Sequence, residues 1–105
     1  MHYAYLLACA DGTYYAGYTT DPRRRVAEHN DGTGAKYTRG RTPVELVHVE
    51  AFDSRSAAMS REYELKQRSH DEKARLAAET DVDQVLDGGD DSDADDSEDQ
   101  TSRSA

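Results

Sequence analysis

Two tyrosine-rich segments joined by a tight-turn signal place the strongest constraint on the fold of this chain. The first, His2–Ala8, consists mainly of tyrosine and aliphatic residues, and Asp11-Gly12 separates it from the second, Thr13–Gly17. Strand-forming runs bounded by such a turn signal are typical of a β-hairpin. The length of the loop decides which side chains share a face, because a shift of one residue exchanges the two faces of a strand.

We expect a three-residue loop between these strands. A two-residue Asp11-Gly12 loop would place Tyr5 and Tyr15 on opposite faces of the hairpin. In a three-residue loop that also includes Ala10, Gly12 takes the left-handed conformation and a bulge follows. One face of the hairpin then carries Tyr5, Leu7, Tyr15 and Gly17.

Capping residues and turn signals predict the remaining elements. Asp21 is a good N-cap, and Pro22 suits the first position of a helix. The expected elements are a helix over Pro22–Asn30, a basic loop over Asp31–Thr42, a strand opened by Pro43, a helix capped by Ser54 or Asp53 and ending near Arg68, and a helix from His70 to Glu79. The order β-β-α-β-α-α predicts an α+β fold in which a small three-stranded antiparallel sheet is flanked by helices.

Acidic residues outnumber basic ones by 22 to 13, but the charges are segregated along the chain. Residues 1–78 hold 12 basic and 11 acidic side chains, a net charge of +1, whereas residues 79–105 hold 11 acidic side chains and only one base, a net charge of -10. The second part has few apolar side chains with which to offset the entropy of ordering its backbone. We therefore predict a folded domain over residues 1–79 and a disordered acidic tail over residues 80–105.

Three roles remain open for the acidic tail: a solubilising segment, an intramolecular mimic of nucleic acid, or a segment that recruits a basic protein partner. The single cysteine, Cys9, excludes an internal disulfide and fits a reducing compartment. No apolar run approaches the length of a membrane helix, and no leader segment is recognisable. We expect a cytoplasmic protein without membrane association.

Arg25 and His29 are four residues apart and project from the same face of the first predicted helix. A guanidinium offers a planar fork of donors to a phosphate, and an imidazole near neutral pH can donate or accept a proton. The pair therefore suits chemistry on a phosphate group. The alternative is a solvated basic helix with an incidental histidine.

Glu62 is predicted to point toward the apolar face of the second helix. On a helical wheel it lies roughly 20° from the centre of the face formed by Ala57, Ala58, Met59, Tyr63 and Leu65. A carboxylate in that position is costly unless it is paired or bound to a cation. Two interpretations remain open: an ion pair with Lys66, or a ligand for a hard cation such as Mg²⁺.

Tyrosine is abundant, with seven residues in the chain. Strand tyrosines usually pack with the ring half-buried, and we expect this role for most of them. Tyr5 and Tyr15 differ if they share a face, because their hydroxyls then lie beside Gly17, where a phosphate or a side chain can approach closely. The histidines other than His29 show no metal-ligand spacing and are assigned no role.

Several separated segments resemble, in order, the signatures of a known family. Tyr3-Ala4-Tyr5 and Tyr15-Ala16-Gly17 resemble the paired strand signatures of the GIY-YIG nuclease superfamily, and GYTTDPRRRVAEHN, GAKYTRGRTPVELVH and REYELK continue the match. The chain is similar to the small single-domain branch (UPF0213-like) over about residues 1–76. Tyr3 and Ala4 replace the glycine and isoleucine of the first signature, and the late asparagine of some larger members has no counterpart.

The resemblance implies a metal-dependent endonuclease that hydrolyses DNA phosphodiester bonds, selects DNA by structure, and acts in DNA repair or recombination. By position it implies catalytic roles for Tyr5, Tyr15, Arg25 and His29 and a metal-binding role for Glu62, with Mg²⁺ or Mn²⁺ and no small-molecule cofactor. To act as the general base Tyr5 would need a lowered pKa, which Arg25 or the metal could supply, with His29 assisting proton transfer. The residues expected to contact the DNA backbone are Arg24, Lys36, Arg39, Arg41 and Lys66.

The alternative function is a DNA-binding module that has the nuclease fold but little or no cleavage activity. A net charge of +1 over residues 1–78 is weak support for stand-alone DNA affinity. Counterion release from several phosphate contacts normally drives such binding. Cleavage of DNA in the presence of a divalent ion distinguishes the two functions.

Overall fold

The computed structural model of the protein describes residues 1–88. The elements are β1 (His2–Ala8), β2 (Tyr14–Thr19), α1 (Pro22–Asn30), a short 3₁₀ helix (Lys36–Thr38), β3 (Glu45–Phe52), α2 (Arg55–Gln67), α3 (His70–Glu79) and α4 (Val82–Gly88). The three strands form one antiparallel sheet in the order β2-β1-β3. This architecture confirms the predicted α+β fold and the predicted order of elements as far as α3.

The hairpin between β1 and β2 has the predicted register. The backbone N–H of Cys9 donates to the carbonyl oxygen of Thr13 over 2.8 Å, which encloses a loop of three residues. Gly12 occupies the left-handed region of that loop, with a φ of 87°. The pairs that follow are Tyr5 with Gly17 and Leu7 with Tyr15. Paired residues lie on the same face of a sheet, so the two site tyrosines share one side.

The central strand β1 is covered on both of its faces. Tyr5 and Leu7 belong to an apolar cluster that also includes residues of α1 and α4. Ala4 and Leu6 belong to a second cluster, which includes residues of α2 and α3. Successive residues of a strand point to opposite faces. The helices α1 and α2 therefore pack on opposite sides of the sheet.

Side-chain caps determine where the first three helices begin. Asp21 and Ser54 each accept a hydrogen bond from the backbone N–H three residues further on. Ser69 and Glu72 form a reciprocal capping box. The bounds of α1 and α3 are those predicted, and α2 ends within one residue of its predicted end. Within the described residues, no helix combines the length and the apolar character needed to span a membrane.

Two strand boundaries differ from the prediction. Strand β2 starts at Tyr14 and runs two residues beyond its predicted end at Gly17. Strand β3 starts at Glu45 rather than at Pro43. The second difference has a direct cause, because the side chain of Asn30 binds both the backbone N–H and the carbonyl oxygen of Val44, over 2.7 and 3.1 Å.

The helix α4 corrects the predicted extent of the acidic tail. Residues 82–88 were expected to be disordered, but they form a helix whose Val82, Val85 and Leu86 pack against the cluster around Tyr5. The prediction failed because it rested on the acidic composition of residues 79–105 as a whole. It did not consider that three apolar side chains can share one side of a short helix. The rest of the predicted tail, residues 89–105, lies outside the described residues.

Candidate active site

A buried hydrogen bond joins β1 to α1 at the centre of the candidate site. The Tyr5 hydroxyl lies 3.2 Å from His29 Nε2, and each residue is only 1% exposed. Tyr5 projects from the face of β1 that α1 covers, and His29 lies in the last turn of α1. The structure thus brings two of the predicted site residues into direct contact.

Two glycines lie against these rings, Gly17 against Tyr5 and Gly34 against His29, where a side chain would have no room. A Cβ atom on Gly17 would lie 2.4 Å from the Tyr5 hydroxyl oxygen, and one on Gly34 would lie 2.5 Å from His29 Nδ1. Both distances are far shorter than a van der Waals contact, so a larger residue at either position must displace a ring. The space predicted beside Gly17 is therefore filled by the side chain of Tyr5.

The loop after α1 covers His29 on the side of its other ring nitrogen, Nδ1. Thr38 is fully buried and places its Oγ1 atom 2.8 Å from His29 Nδ1. The same hydroxyl donates to the carbonyl oxygen of Ala35 over 2.9 Å. Asn30 holds the far end of this loop through its two bonds to Val44. His29 is therefore oriented through both of its ring nitrogens.

Burial is the largest influence on the pKa of both Tyr5 and His29. It raises the pKa of Tyr5 to about 12, although the nearby Arg25 guanidinium acts in the opposite direction. Burial also lowers the pKa of His29 below its usual 6.5, and the positive charge of Arg25 adds to that lowering. Arg25 alone therefore does not supply the lowered pKa that a Tyr5 general base would need, because desolvation of the phenolate outweighs the attraction of Arg25.

Arg25 carries the positive charge closest to the buried pair. Its side chain is 31% exposed and pairs with Glu28 over 2.9 Å. It is close enough to Tyr5 and His29 to shift the pKa of both groups. A guanidinium fork binds two phosphate oxygens at once, so an incoming phosphate can replace Glu28 as its partner.

Tyr15 is the more accessible of the two site tyrosines. Its half-buried ring meets His29 edge-on, with 5.4 Å between ring centroids. It also stacks on Tyr37, with a centroid separation of 5.6 Å. Tyr37 is 42% exposed, and the Arg41 guanidinium lies 4.4 Å above its ring centroid. Tyr15 therefore connects the buried pair to an exposed aromatic ring of the loop.

Glu62 belongs to α2, on the side of the sheet opposite to α1, and its negative charge acts on Tyr5. It lies between Ala58 and Leu65, both fully buried under the sheet, and its own side chain is only 15% exposed. Two members of the predicted apolar face, Met59 and Tyr63, are instead 40% and 64% exposed. The predicted inward orientation of Glu62 is nevertheless correct, because it shares the face of α2 that carries the two buried residues.

Of the two interpretations that the sequence left open for Glu62, the structure shows the ion pair. The carboxylate places its Oε2 atom 2.9 Å from Lys66 Nζ. Its negative charge also contributes to the raised pKa of Tyr5. Within residues 1–88, no group of three His, Cys, Asp or Glu residues is arranged to hold a metal ion. A single carboxylate still fits Mg²⁺, which is often bound by one or two carboxylates together with water and phosphate.

The basic residues predicted to contact DNA differ in whether they already form an ion pair with a carboxylate. Lys36 and Arg39 are exposed, and neither forms an ion pair with a described residue. The other three are paired with carboxylates: Arg24 with Glu28, Arg41 with Asp11, and Lys66 with Glu62. Arg41 also donates through Nε to the carbonyl oxygen of Tyr37 over 2.8 Å.

Three residues of the site were not predicted, namely Thr38, Gly34 and Tyr37. All three lie in the loop between α1 and β3, which has no hydrophobic periodicity from which side-chain directions can be inferred. Their contacts depend on how the loop folds back over the end of α1. The signal that could have identified them is their position in GAKYTRGRTPVELVH, one of the segments that resemble the family.

Comparisons with known proteins identify the family of this chain. The model of the GIY-YIG catalytic domain matches residues 1–75. A UPF0213 protein of Natronomonas pharaonis is 67% identical over 78 residues, which are 74% of this chain and 92% of that protein. A UPF0213 protein of Halobacterium salinarum is 66% identical over 76 residues, which are 72% of this chain and 99% of that protein.

A solved structure is also similar to this chain. The solution NMR structure of the UPF0213 protein BH0048 from Bacillus halodurans has 49% sequence identity, a TM-score of 0.47, and coverage of 84% of this chain and 86% of that one. The family match spans most of the chain and includes all five predicted site residues. This chain therefore belongs to the GIY-YIG family and has close relatives among the UPF0213 proteins.

Proposed function

We propose that this protein is a divalent-metal-dependent endonuclease that hydrolyses DNA phosphodiester bonds. The observation that carries the proposal is the cluster, within a GIY-YIG domain, of a cation, an imidazole and two tyrosines, on which the charge of a carboxylate also acts. These are Arg25, His29, Tyr5, Tyr15 and Glu62. Together they offer charge neutralisation, proton transfer and metal binding, which are the three needs of phosphodiester hydrolysis.

Glu62 is the residue that would hold Mg²⁺ or Mn²⁺. Lys66 pairs with one oxygen of this carboxylate, and the other oxygen would be available to the ion. When bound, the ion stabilises the negative charge that develops on the phosphate and on the leaving oxygen. Because residues 1–88 would supply this one carboxylate to the ion, the ion should bind tightly only together with DNA.

Tyr5 and His29 would carry the proton that water loses. With a pKa of about 12, a free Tyr5 phenolate at pH 7 costs about 7 kcal/mol, so it is not a resting base. The hydroxyl must instead pass its proton to His29 Nε2 as it takes one from water. The oxygen of that water then forms a bond to phosphorus, and the bond from phosphorus to the leaving oxygen breaks.

Arg25 links the arrival of DNA to this proton transfer. The Tyr5 side chain is 1% exposed, so substrate binding has to uncover its hydroxyl. Arg25 lies near that hydroxyl and pairs with Glu28. A phosphate that draws the guanidinium outward both gains a counter-charge and opens a route to Tyr5. Tyr15, whose half-buried ring packs against His29, would contact the phosphate or the attacking water.

The substrate is proposed to be DNA of particular shape, as found in repair and recombination. The exposed cations Lys36 and Arg39, together with the paired cations Arg24, Arg41 and Lys66, suit contacts to the DNA backbone. Such contacts position a duplex without reading its bases.

The single Cys9 is a free, buried thiol, which suits a protein that works in the reducing cytoplasm.

A second candidate function is a DNA-binding module with little cleavage activity. Two observations favour it: the Tyr5 hydroxyl is sealed from solvent, and the Glu62 carboxylate is already neutralised by Lys66. In this function Arg25 and the loop cations hold a DNA phosphate, while the groups beneath them serve packing alone.

Cleavage and binding assays on one set of DNA molecules distinguish the two functions. Purified protein is incubated with branched, flapped and linear DNA in Mg²⁺, in Mn²⁺ and in chelator, and binding is measured in parallel. The nuclease proposal expects cleavage of at least one branched or flapped substrate that stops in chelator. Binding without cleavage of any substrate would instead support the binding module.

A pair of matched variants tests whether Tyr5 takes part in the reaction. Tyr5→Phe removes the hydroxyl that contacts His29, and we expect it to slow cleavage about 10²- to 10⁴-fold while DNA binding is retained. Tyr14→Phe is the control, because Tyr14 packs against His70 instead, with 5.0 Å between ring centroids. Equal rates for the two variants would exclude a proton-transfer role for Tyr5.

A further inference from the structure

A buried chain of hydrogen bonds runs from the Tyr5 hydroxyl through His29 to Thr38. Its lengths are 3.2 Å from Tyr5 Oη to His29 Nε2, and 2.8 Å from His29 Nδ1 to Thr38 Oγ1. Because burial lowers the pKa of His29, the imidazole is neutral at pH 7 and carries one ring proton. The position of that proton decides whether Nε2 can accept a proton from Tyr5.

The environment of Thr38 places the ring proton on Nδ1. The Thr38 hydroxyl has a single proton to donate. Its Oγ1 atom lies 2.9 Å from the carbonyl oxygen of Ala35, which can only accept a hydrogen bond. When that proton is donated to Ala35, the contact with His29 is a hydrogen bond only if Nδ1 donates. The acceptor at 2.8 Å is then the lone pair of Thr38 Oγ1.

The environment of Tyr5 leads to the same assignment. Beside the Tyr5 hydroxyl lies Arg25, whose guanidinium can only donate. Among the described residues, His29 Nε2 is the group within hydrogen-bond distance that can accept the proton of the buried hydroxyl. If Nε2 carried the ring proton, the Tyr5 proton would be buried without an acceptor, which costs about 1–3 kcal/mol.

The opposite tautomer has one contact in its favour. The backbone N–H of Ala35 lies 3.3 Å from His29 Nδ1 and would donate to it if that nitrogen were unprotonated. This contact is longer than the bond to Thr38, and Ala35 is only partly buried, so water can satisfy its N–H. The two buried hydroxyls therefore outweigh it.

We propose that Thr38 is a positioning residue that holds His29 in its Nδ1-protonated form, so that Nε2 is the acceptor for the proton of Tyr5. Thr38 does not touch the substrate in this role and acts only through His29. Its contribution to cleavage rests on the proposed nuclease function, whereas its effect on the His29 tautomer does not. The two parts can therefore be tested separately.

Nitrogen-15 NMR of the histidine side chains measures the tautomer directly, on the full chain and without DNA or metal. Protonated and unprotonated ring nitrogens have clearly separated chemical shifts, and couplings to the ring protons distinguish Nδ1 from Nε2. We expect wild-type His29 to carry its proton on Nδ1 at pH 7.5. A wild-type His29 protonated on Nε2 would overturn the proposal.

Three variants test whether Thr38 sets this state. Thr38→Val keeps the shape of the side chain but removes the hydroxyl. A proton on Nδ1 then has no acceptor, whereas an unprotonated Nδ1 can still accept from the Ala35 N–H, so we expect the His29 proton to shift to Nε2 despite the contact with Tyr5. Thr38→Ser restores the hydroxyl and should restore the Nδ1-protonated form. Thr33→Val is the matched control, because Thr33 lies in the same loop but bonds to Asp31 and to the Glu28 carbonyl. A Thr38→Val protein that keeps the Nδ1-protonated form would overturn the proposal.

Cleavage by the same variants tests the link to the reaction. Thr38→Val is expected to cut about 10- to 100-fold more slowly, and both Thr38→Ser and Thr33→Val to cut close to the wild-type rate. Wild-type cleavage by a Thr38→Val protein with a shifted tautomer would refute the catalytic part alone. Absence of cleavage in the wild type would refute the nuclease function and leave the tautomer measurement intact.

Discussion

Gly17 shows how one small residue controls the chemistry of another. Burial sets the pKa of Tyr5, and that burial is possible because the Tyr5 ring lies across Gly17, where no side chain intervenes. The glycine of the second strand signature is therefore a packing partner of the tyrosine of the first. This relation gives the paired strand signatures a physical basis that does not depend on the reaction.

A Gly17→Ala substitution is expected to displace the Tyr5 ring. The new Cβ would lie 2.4 Å from the hydroxyl oxygen and 2.5 Å from the ring carbon that bears it. Overpacking of this kind typically costs about 1–3 kcal/mol of unfolding free energy. Urea unfolding at pH 7 measures the loss, and the aromatic NMR signals of Tyr5 report the displacement.

The matched background for this prediction is Tyr5→Leu, which removes the atoms that the new Cβ would meet. In that background Gly17→Ala should cost much less, so the two substitutions should be strongly coupled. Equal losses in both backgrounds would show that Gly17 matters for its own backbone and not for Tyr5.

The orientation of the predicted site residues was easier to predict from the sequence than the pKa values of their side chains. Tyr5 and Tyr15 could be placed on one face because Gly12 indicated the loop length, and Glu62 could be turned inward because helical spacing is regular. The raised pKa of Tyr5 could not be predicted, because it depends on the fit of the ring between Gly17 and α1. Thr38 could not be predicted either, because its contact requires the path of an irregular loop.

At the scale of elements, a polar network ties β3 to two helices on the side of the sheet away from Tyr5. His48 bonds through Nδ1 to Thr80 at the end of α3 and through Nε2 to Glu50, 2.6 Å away. Arg61 of α2 donates through Nε to both oxygens of Glu50, over 3.1 and 2.9 Å. The network helps to hold α2, and with it Glu62, in place beneath the sheet.

Glu50 makes this network sensitive to acid. Its hydrogen bond to His48, and next its bond to Arg61, lower the pKa of Glu50 below the usual 4.5. The lowered pKa belongs to the folded state, so the stabilisation is complete above about pH 4.5 and is lost as the pH falls through the folded-state pKa. Glu50→Gln should therefore reduce the unfolding free energy by about 1–3 kcal/mol at pH 7.

Urea unfolding of wild type and Glu50→Gln at pH 7, 5 and 3 tests this prediction. The difference between the two proteins should be largest at pH 7 and should shrink at the lowest pH, because protonation of the wild-type carboxylate removes the charge that Glu50→Gln also removes. Glu79→Gln, an exposed substitution at the end of α3, is the control and should change stability little at any pH. A Glu50→Gln deficit that is equal at all three pH values would contradict the account.

Helix α4 marks the limit of what composition could predict at this scale. Its acidic residues satisfy the criteria for a disordered segment, yet Val82, Val85 and Leu86 supply an apolar side that packs on the core. Arg23 of α1 adds two ion pairs, with Asp83 and Asp87. These pairs are exposed and contribute little, so the apolar contacts are the main reason that α4 stays on the domain.

At the scale of the whole molecule, the segregated charge opposes the proposed substrate. Residues 89–105 carry seven acidic side chains and one arginine, a net charge of -6, and residues 1–88 carry 12 basic and 15 acidic side chains, a net charge of -3. Like charge lowers the local concentration of a polyanion around a protein, and salt screens that effect. The acidic segment should therefore weaken DNA binding whether or not it occupies the DNA-binding surface.

Removal of residues 89–105 is expected to tighten DNA binding at low salt. The truncated protein keeps every element from β1 to α4, so its fold should be unchanged. Binding of a branched DNA is measured for both proteins at about 0.05 M and 0.5 M salt, and the difference should narrow at the higher concentration. Equal affinities at low salt would favour the solubilising role of the segment.

Single-turnover cleavage by two glutamate variants of α2 tests the central claim most directly. Glu62→Gln removes the proposed metal ligand, whereas Glu64→Gln removes an exposed carboxylate that pairs with Arg61 over 3.0 Å. With Mg²⁺ and excess protein over branched DNA, Glu64→Gln should cut like the wild type, and Glu62→Gln should be at least about 100-fold slower. Cleavage by Glu62→Gln at the wild-type rate, or cleavage that persists in chelator, would contradict a metal-dependent site built on Glu62.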